Sequence, residues 1–195
     1  MARTSHVKRS TSETQIEVRL NLDGTGIQDI QTPVPFLDHM LSQLSRHGYF
    51  DLTVKAQGDT QIDSHHTVED VGIAVGQAFK EALGDKKGIR RFAEASVPLN
   101  EALAQCIIDI SGRAFFVFNL ELPKAKLGEF DVELVPEFFQ AFSANSGMTL
   151  HLNSPYWNNL HHITEALFKS FARALDSACM LDSRSGDVPS TKGTL

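Results

Sequence analysis

Two histidine pairs of the same form stand in this chain, His65-His66-Thr67-Val68-Glu69 and His161-His162-Ile163-Thr164-Glu165, and together they hold four of its eight histidines. Each opens a stretch with helical spacing of apolar residues. On an α-helix each residue advances about 100°, so a histidine and the glutamate four residues later share a face, while the second histidine points about a quarter-turn away. His65 therefore works with Glu69 and His161 with Glu165. His66 and His162 are directed elsewhere. Imidazole and carboxylate at this spacing are metal-ligand chemistry. A single copy would fit an ordinary helix start equally well, because carboxylates suit first turns. The repetition predicts two metal centres related by an internal duplication. By helical phase one centre takes His65 and Glu69 with His162, and the other takes His161 and Glu165 with His66. Donors without thiolate suit manganese, iron or zinc, and several open positions favour octahedral manganese or iron over tetrahedral zinc.

The elements that must carry these motifs are legible on both sides of them. Thr14 to Leu22 alternates strictly between apolar and polar residues and predicts a half-buried strand, closed by an Asp23-Gly24 turn. Leu37, Met40, Leu41 and Leu44 predict a helix over Phe36 to His47, and Leu52 and Val54 mark a short strand after it. Asp63 and Ser64 supply capping groups for a helix whose Val68, Val71, Val75, Phe79 and Leu83 recur at helical spacing up to Gly84. In the second half, strands are predicted near Phe92 to Val97, Leu103 to Ile110 and Phe115 to Leu120. A helix from Val132 to Ala144, a strand through Met148, Leu150 and Leu152, and a last helix capped by Asn158 and Asn159 complete it. Superposing the halves aligns Leu37-Asp38-His39-Met40-Leu41 with Val135-Pro136-Glu137-Phe138-Phe139, and Leu52-Thr53-Val54 with Leu150-His151-Leu152. His39 and Glu137 thereby become equivalent, and bring the candidate ligands to eight. Strands followed by helix, strand and helix, twice over, predict an α+β fold: a duplicated sandwich of mixed β-sheet with two helices per repeat on one face. The repeats span 1–88 and 89–182. Residues 183–195, rich in Gly, Pro, Ser and Thr, form a tail.

Composition narrows the function. At 195 residues and 42% hydrophobic content the chain can bury one substantial core or two small fused units. A net charge of −6 argues against nucleic-acid binding, which needs a basic face, so any phosphate recognition must be local. Two cysteines, Cys106 and Cys179, are too few for a disulfide framework. No run of apolar residues is long enough for a membrane span, and the N-terminus lacks the apolar core of a signal peptide. A soluble protein of the reducing cytoplasm is expected.

The segments Phe36-Leu37-Asp38-His39-Met40-Leu41, Asp63-Ser64-His65-His66-Thr67-Val68-Glu69-Asp70, Asp109-Ile110-Ser111-Gly112-Arg113, His161-His162-Ile163-Thr164-Glu165-Ala166 and Pro189-Ser190-Thr191-Lys192-Gly193 together resemble the imidazoleglycerol-phosphate dehydratase family over essentially the whole chain. The resemblance implies a ribosomal protein S5 domain 2-like sandwich and a lyase of histidine biosynthesis with two Mn2+ per active site, bridged by the substrate's imidazole. It implies one ion on His39, His66, His161 and Glu165 and the other on His65, Glu69, His162 and Glu137. Many family members have histidine at the position of Glu137, where a carboxylate can still ligate manganese. It also implies Glu13 and Glu165 as the catalytic carboxylates, and Arg91, Arg113, Ser190, Thr191 and Lys192 as the phosphate site, with the tail closing on the substrate. Gln43, His47, Lys169 and Glu13 complete the substrate pocket, and the assembly is a homo-oligomer of twenty-four subunits with active sites between chains. His151 matches no ligand position. From the doubled motif alone, a binuclear phosphoesterase that activates water and a non-catalytic metal-binding shell remain as rivals. The motifs flanking the histidine pairs favour dehydration.

Overall fold

Along β2 (Thr14–Asn21) the predicted alternation is realised, with Ile16, Val18 and Leu20 buried and Gln15 and Arg19 exposed. In this computed structural model, which describes residues 2–195, β2 pairs antiparallel with β1 (Thr4–Ser10) on one side and β4 (Asp51–Gly58) on the other. A short strand β3 (Gln28–Gln31) joins β4 in parallel, giving the order β1-β2-β4-β3. The second half repeats this topology. Its strands β5 (Phe92–Leu99), β6 (Ala102–Asp109), β7 (Phe115–Asn119) and β10 (Thr149–Tyr156) take the order β5-β6-β10-β7, and β7 is parallel to β10. Both sheets are mixed. A small hairpin of β8 (Lys126–Leu127) and β9 (Phe130–Asp131) precedes the third helix.

Helices α1 (Pro35–Gly48) and α2 (His65–Leu83) belong to the first half, α3 (Leu134–Ser146) and α4 (Leu160–Cys179) to the second. Each sheet lays one face on its own long helix, α2 on β1 and β2, α4 on β5 and β6. The helices then pair across the halves, α1 with α4 and α2 with α3. A layer of helices thus lies between the sheets, and apolar side chains from both halves merge into one core. Phe138, Phe139, Phe168 and Phe171 stack at its centre, with ring centroids 4.7 Å apart for Phe139 and Phe168. Among the described residues no helix is long and apolar enough to cross a membrane.

Close approach of α2 to α3 depends on two glycines one turn apart. A Cβ on Gly72 would stand 2.7 Å from the Phe138 carbonyl oxygen, and one on Gly76 the same distance from that of Phe142. Both are backbone contacts that cannot rotate away. Gly76→Ala is expected to lower the unfolding free energy by about 1–3 kcal/mol despite alanine's better helix propensity, measured by denaturant titration; an unchanged or raised midpoint would show that the helices can part at no cost.

The sequence reading differs from the fold at the edges. The apolar pattern predicts one strand before α1 where there are three, because β1 and β3 are edge strands with almost no apolar pattern of their own: only Val7 of β1 is buried. Their pairing partners, rather than their side chains, make them strands. The β8–β9 hairpin, two residues a side, likewise carries no periodic signal. Helix α3 starts at Leu134 rather than Val132.

Candidate metal centre and anion cleft

Both histidine motifs occupy the first turn of their helices, and each is fixed there by an acceptor from the preceding loop. The Asn159 side chain accepts from the backbone N–H groups of His161 (2.9 Å) and His162 (3.1 Å). Asp63 accepts from the His65 N–H at 2.8 Å, while Ser64, the formal cap, makes no side-chain cap bond. These bonds satisfy orphan amides and set the direction in which each pair leaves its helix.

Two ladders of residues spaced by four face one another across the α1–α4 contact: His39, Gln43 and His47 on α1, and His161, Glu165, Lys169 and Arg173 on α4. At the open end, Nε2 of His39 and Nε2 of His161 each lie 3.1 Å from the same oxygen of Glu165. One ligand atom from each of the three residues falls within 4.8 Å of the others. Lys169 reaches Glu165 at 2.6 Å from one turn further in. Burial opposes ionisation of Glu165, but Lys169, His39 and His161 outweigh it and hold the carboxyl at about 2. Phe36 closes one side, its ring edge-on to His161 at 5.6 Å. Deeper in the ladder His47 binds Gln43 at 3.1 Å, and burial, then Lys169 and Arg173, lower its pKa. Two imidazole nitrogens and an ionised carboxylate converging on one point, with no thiolate, form a donor set that fits a divalent cation.

The first motif shows the divergence its spacing predicts. His65 Nε2 lies 3.7 Å from Glu69, and the rings of His65 and His66 stand at 88° to each other. His66 turns instead toward Asp59, 3.0 Å from its Nδ1, and Glu13, at 3.8 Å. The hydrogen bond His66 makes to the Asp59 carboxylate is the largest influence on its pKa and raises it from the ordinary histidine value. Glu13 rides on the β1–β2 turn, where Thr11 Oγ1 accepts from the backbone N–H groups of Glu13 (3.1 Å) and Thr14 (2.9 Å). The turn is tied to α2 by the buried Asp70, which accepts from Thr14 Oγ1 at 2.5 Å and from Arg9 at 2.8 Å.

Within one chain, then, His39, His161 and Glu165 assemble, and His65 pairs with Glu69. His66 and His162 do not join the group of three. Glu137 sits half-buried in the first turn of α3, away from any group of three ligands among the described residues. His162 is held by Glu101, its Nδ1 2.9 Å from one carboxylate oxygen, while the other oxygen accepts from the Asn159 N–H at 2.8 Å. Its own backbone, then His162 and Asn159, keep the Glu101 carboxyl below its usual range.

The tail residues gather with the two arginines around a cleft of about 520 Å³, lined by Arg91, Arg113, Ser190, Thr191 and Lys192. Arg91 is already engaged, bound to Asp109 at 2.7 Å and donating to the Pro189 carbonyl at 2.8 Å. It orients the tail as well as facing the cleft. Arg113 donates to the Ser111 carbonyl at 3.3 Å. Cations and hydroxyls gathered locally in a net acidic chain make this cleft a candidate anion site.

Asp59 and Glu101 are the carboxylates the sequence reading passed over. Extending the repeat to the hairpins would have found the second: Glu101 lies in the β5–β6 turn, the counterpart of the β1–β2 turn that carries Glu13.

The family model described as imidazoleglycerol-phosphate dehydratase matches residues 32–175. Relatives of the same description include those of Trichlorobacter lovleyi, 59% identical, and Geobacter sulfurreducens, 58% identical, each aligned over 100% of both chains. Among solved structures, imidazoleglycerol-phosphate dehydratase from Staphylococcus aureus superposes with a TM-score of 0.83 at 38% identity, covering 92% of this chain and 99% of its own. The Pyrococcus furiosus enzyme, in complex with (S)-C348, gives 0.84 at 32% identity, covering 97% of this chain and 100% of its own.

Proposed function

This chain belongs to the imidazoleglycerol-phosphate dehydratase family and is a hydro-lyase that removes water from imidazoleglycerol phosphate in histidine biosynthesis; we propose that it does so with two manganese ions in each active site. Family membership decides against phosphoester hydrolysis and against a storage shell. In this reading His39, His66, His161 and Glu165 hold one ion, and His65, Glu69, His162 and Glu137 the other. The observation that carries it is the convergence of His39, His161 and Glu165 on one point beside Lys169. Bound there, manganese supplies Lewis acidity toward the substrate's imidazole ring.

The chain's own groups do the rest. Arg91, Arg113, Ser190, Thr191 and Lys192 bind the phosphate and set the direction of the three-carbon chain. Gln43, His47 and Lys169 line the pocket beside the ligands. Glu13 takes the proton from the carbon next to the one that loses hydroxide, from a turn made rigid by Thr11 and Asp70. Glu165, released from its partners, is the second carboxylate able to carry a proton. The tail folds over the bound substrate and excludes water.

His66, His65 and Glu69 lie outside the group of three in the same chain, which supports completion of each set by a neighbouring copy; in this reading the assembly is a homo-oligomer of twenty-four subunits. The outer face of the second sheet leaves Phe92, Ile107 and Phe115 exposed, which suits contact with such a copy. Two buried free thiols, Cys106 and Cys179, suit the reducing cytoplasm. Metal-stripped protein is expected to form no imidazoleacetol phosphate and to recover on addition of manganese, with two ions taken up per chain. Turnover undiminished after complete stripping, or saturation at one ion, would overturn the two-manganese reading.

A further inference from the structure

The second histidine of each motif is gripped from behind by a carboxylate that belongs to neither ligand set. His66 Nδ1 lies 3.0 and 3.2 Å from the two oxygens of Asp59, and His162 Nδ1 lies 2.9 Å from Glu101. The first histidines behave differently: His65 and His161 meet their own glutamates through Nε2. Asp59 and Glu101 do not correspond in the repeat. Asp59 follows β4 and leads into α2, whereas Glu101 lies in the β5–β6 turn. The same contact has therefore been built twice from different parts of the fold.

A neutral imidazole carries a single N–H, and the partner of one nitrogen decides which nitrogen keeps its lone pair. A carboxylate on Nδ1 holds the proton there, leaves Nε2 bare, makes it a stronger donor and stops the ring from turning. Asp59 is well placed for this, its side chain only 14% exposed. Glu101 is more open, but its second oxygen is anchored on the Asn159 N–H, which ties it to the cap of α4. We propose that Asp59 and Glu101 are positioning residues that fix His66 and His162 as Nδ1–H tautomers, with Nε2 presented to the metal. The inference rests on the reading of these two histidines as manganese ligands.

The histidine ring nitrogens of the metal-free protein can be observed directly by 15N correlation spectroscopy, at a pH above the histidine range, about 8. His66 and His162 are expected to carry their proton on Nδ1. Asp59→Ala and Glu101→Ala should each turn the corresponding ring into a tautomer mixture and weaken manganese binding by about 10–100-fold. Asp59→Asn and Glu101→Gln, which keep an acceptor oxygen without the charge, should restore the tautomer and part of the affinity. If an alanine variant fails to fold, its amide counterpart still tests the proposal through the loss of affinity. Unchanged tautomers and unchanged affinity in the variants would overturn the proposal. His66→Ala and His162→Ala separate the two levels: if these bind manganese as tightly as the parent, the ligand assignment itself fails, and if they lose it while the carboxylate variants do not, only the positioning role does.

Discussion

Glu13→Gln is expected to give a folded protein that holds its full complement of manganese and turns over substrate about 10²–10⁴-fold more slowly, the usual value of a general base. Glutamine keeps the shape of the side chain and removes only its ability to take a proton. Its nearest partner, His66, is 3.8 Å away, beyond hydrogen-bond range, so no fold-stabilising contact is lost. The turn itself is held by Thr11 and, through Thr14, by the buried Asp70, none of which involves the Glu13 carboxylate. Metal content measured on the same sample separates the alternatives. A near-normal kcat would remove Glu13 as the proton carrier and leave Glu165, whereas lost manganese would make Glu13 part of the metal site.

Deleting residues 190–195 should lower kcat/KM by about 10³-fold or more, most of it through KM. Hydrogen bonds to a charged group contribute about 1.5–3 kcal/mol each, and the deletion removes Lys192 with the hydroxyls of Ser190 and Thr191. Arg91 and Arg113 keep their partners outside the deleted residues, Arg91 on Asp109 and Arg113 on the Ser111 carbonyl. The diagnostic comparison is imidazoleglycerol without its phosphate, a poor substrate toward which the full-length and shortened proteins should differ little. An equal loss on both compounds would mean that the tail acts on the metal site or the fold instead of on the phosphate. Unchanged constants with the natural substrate would end the proposal that the tail closes over it.

The amino-acid sequence by itself determined everything that depends on short-range periodicity. The 3.6-residue repeat settled that His65 faces Glu69 and His161 faces Glu165, and that the adjacent histidines diverge. The alternation in β2 and the apolar stripe of each helix fixed which faces are buried, and the alignment of His39 with Glu137 exposed the duplication. Only the tertiary structure decided which elements meet. Edge strands β1 and β3 take their conformation from the strands they pair with, β2 and β4, so their own residues carry almost no signal. The crosswise pairing of α1 with α4 brings His39 to Glu165, 126 residues away, and sets Gln43 and His47 opposite Lys169 and Arg173. Asp59 and Glu101 acquire a role only from the side chains beside them, for a carboxylate in a loop looks the same in sequence whether it faces water or the back of a histidine. Spacing along a helix is a local property and can be counted; contact between helices is set by how two sheets and a shared core pack, which no single segment encodes.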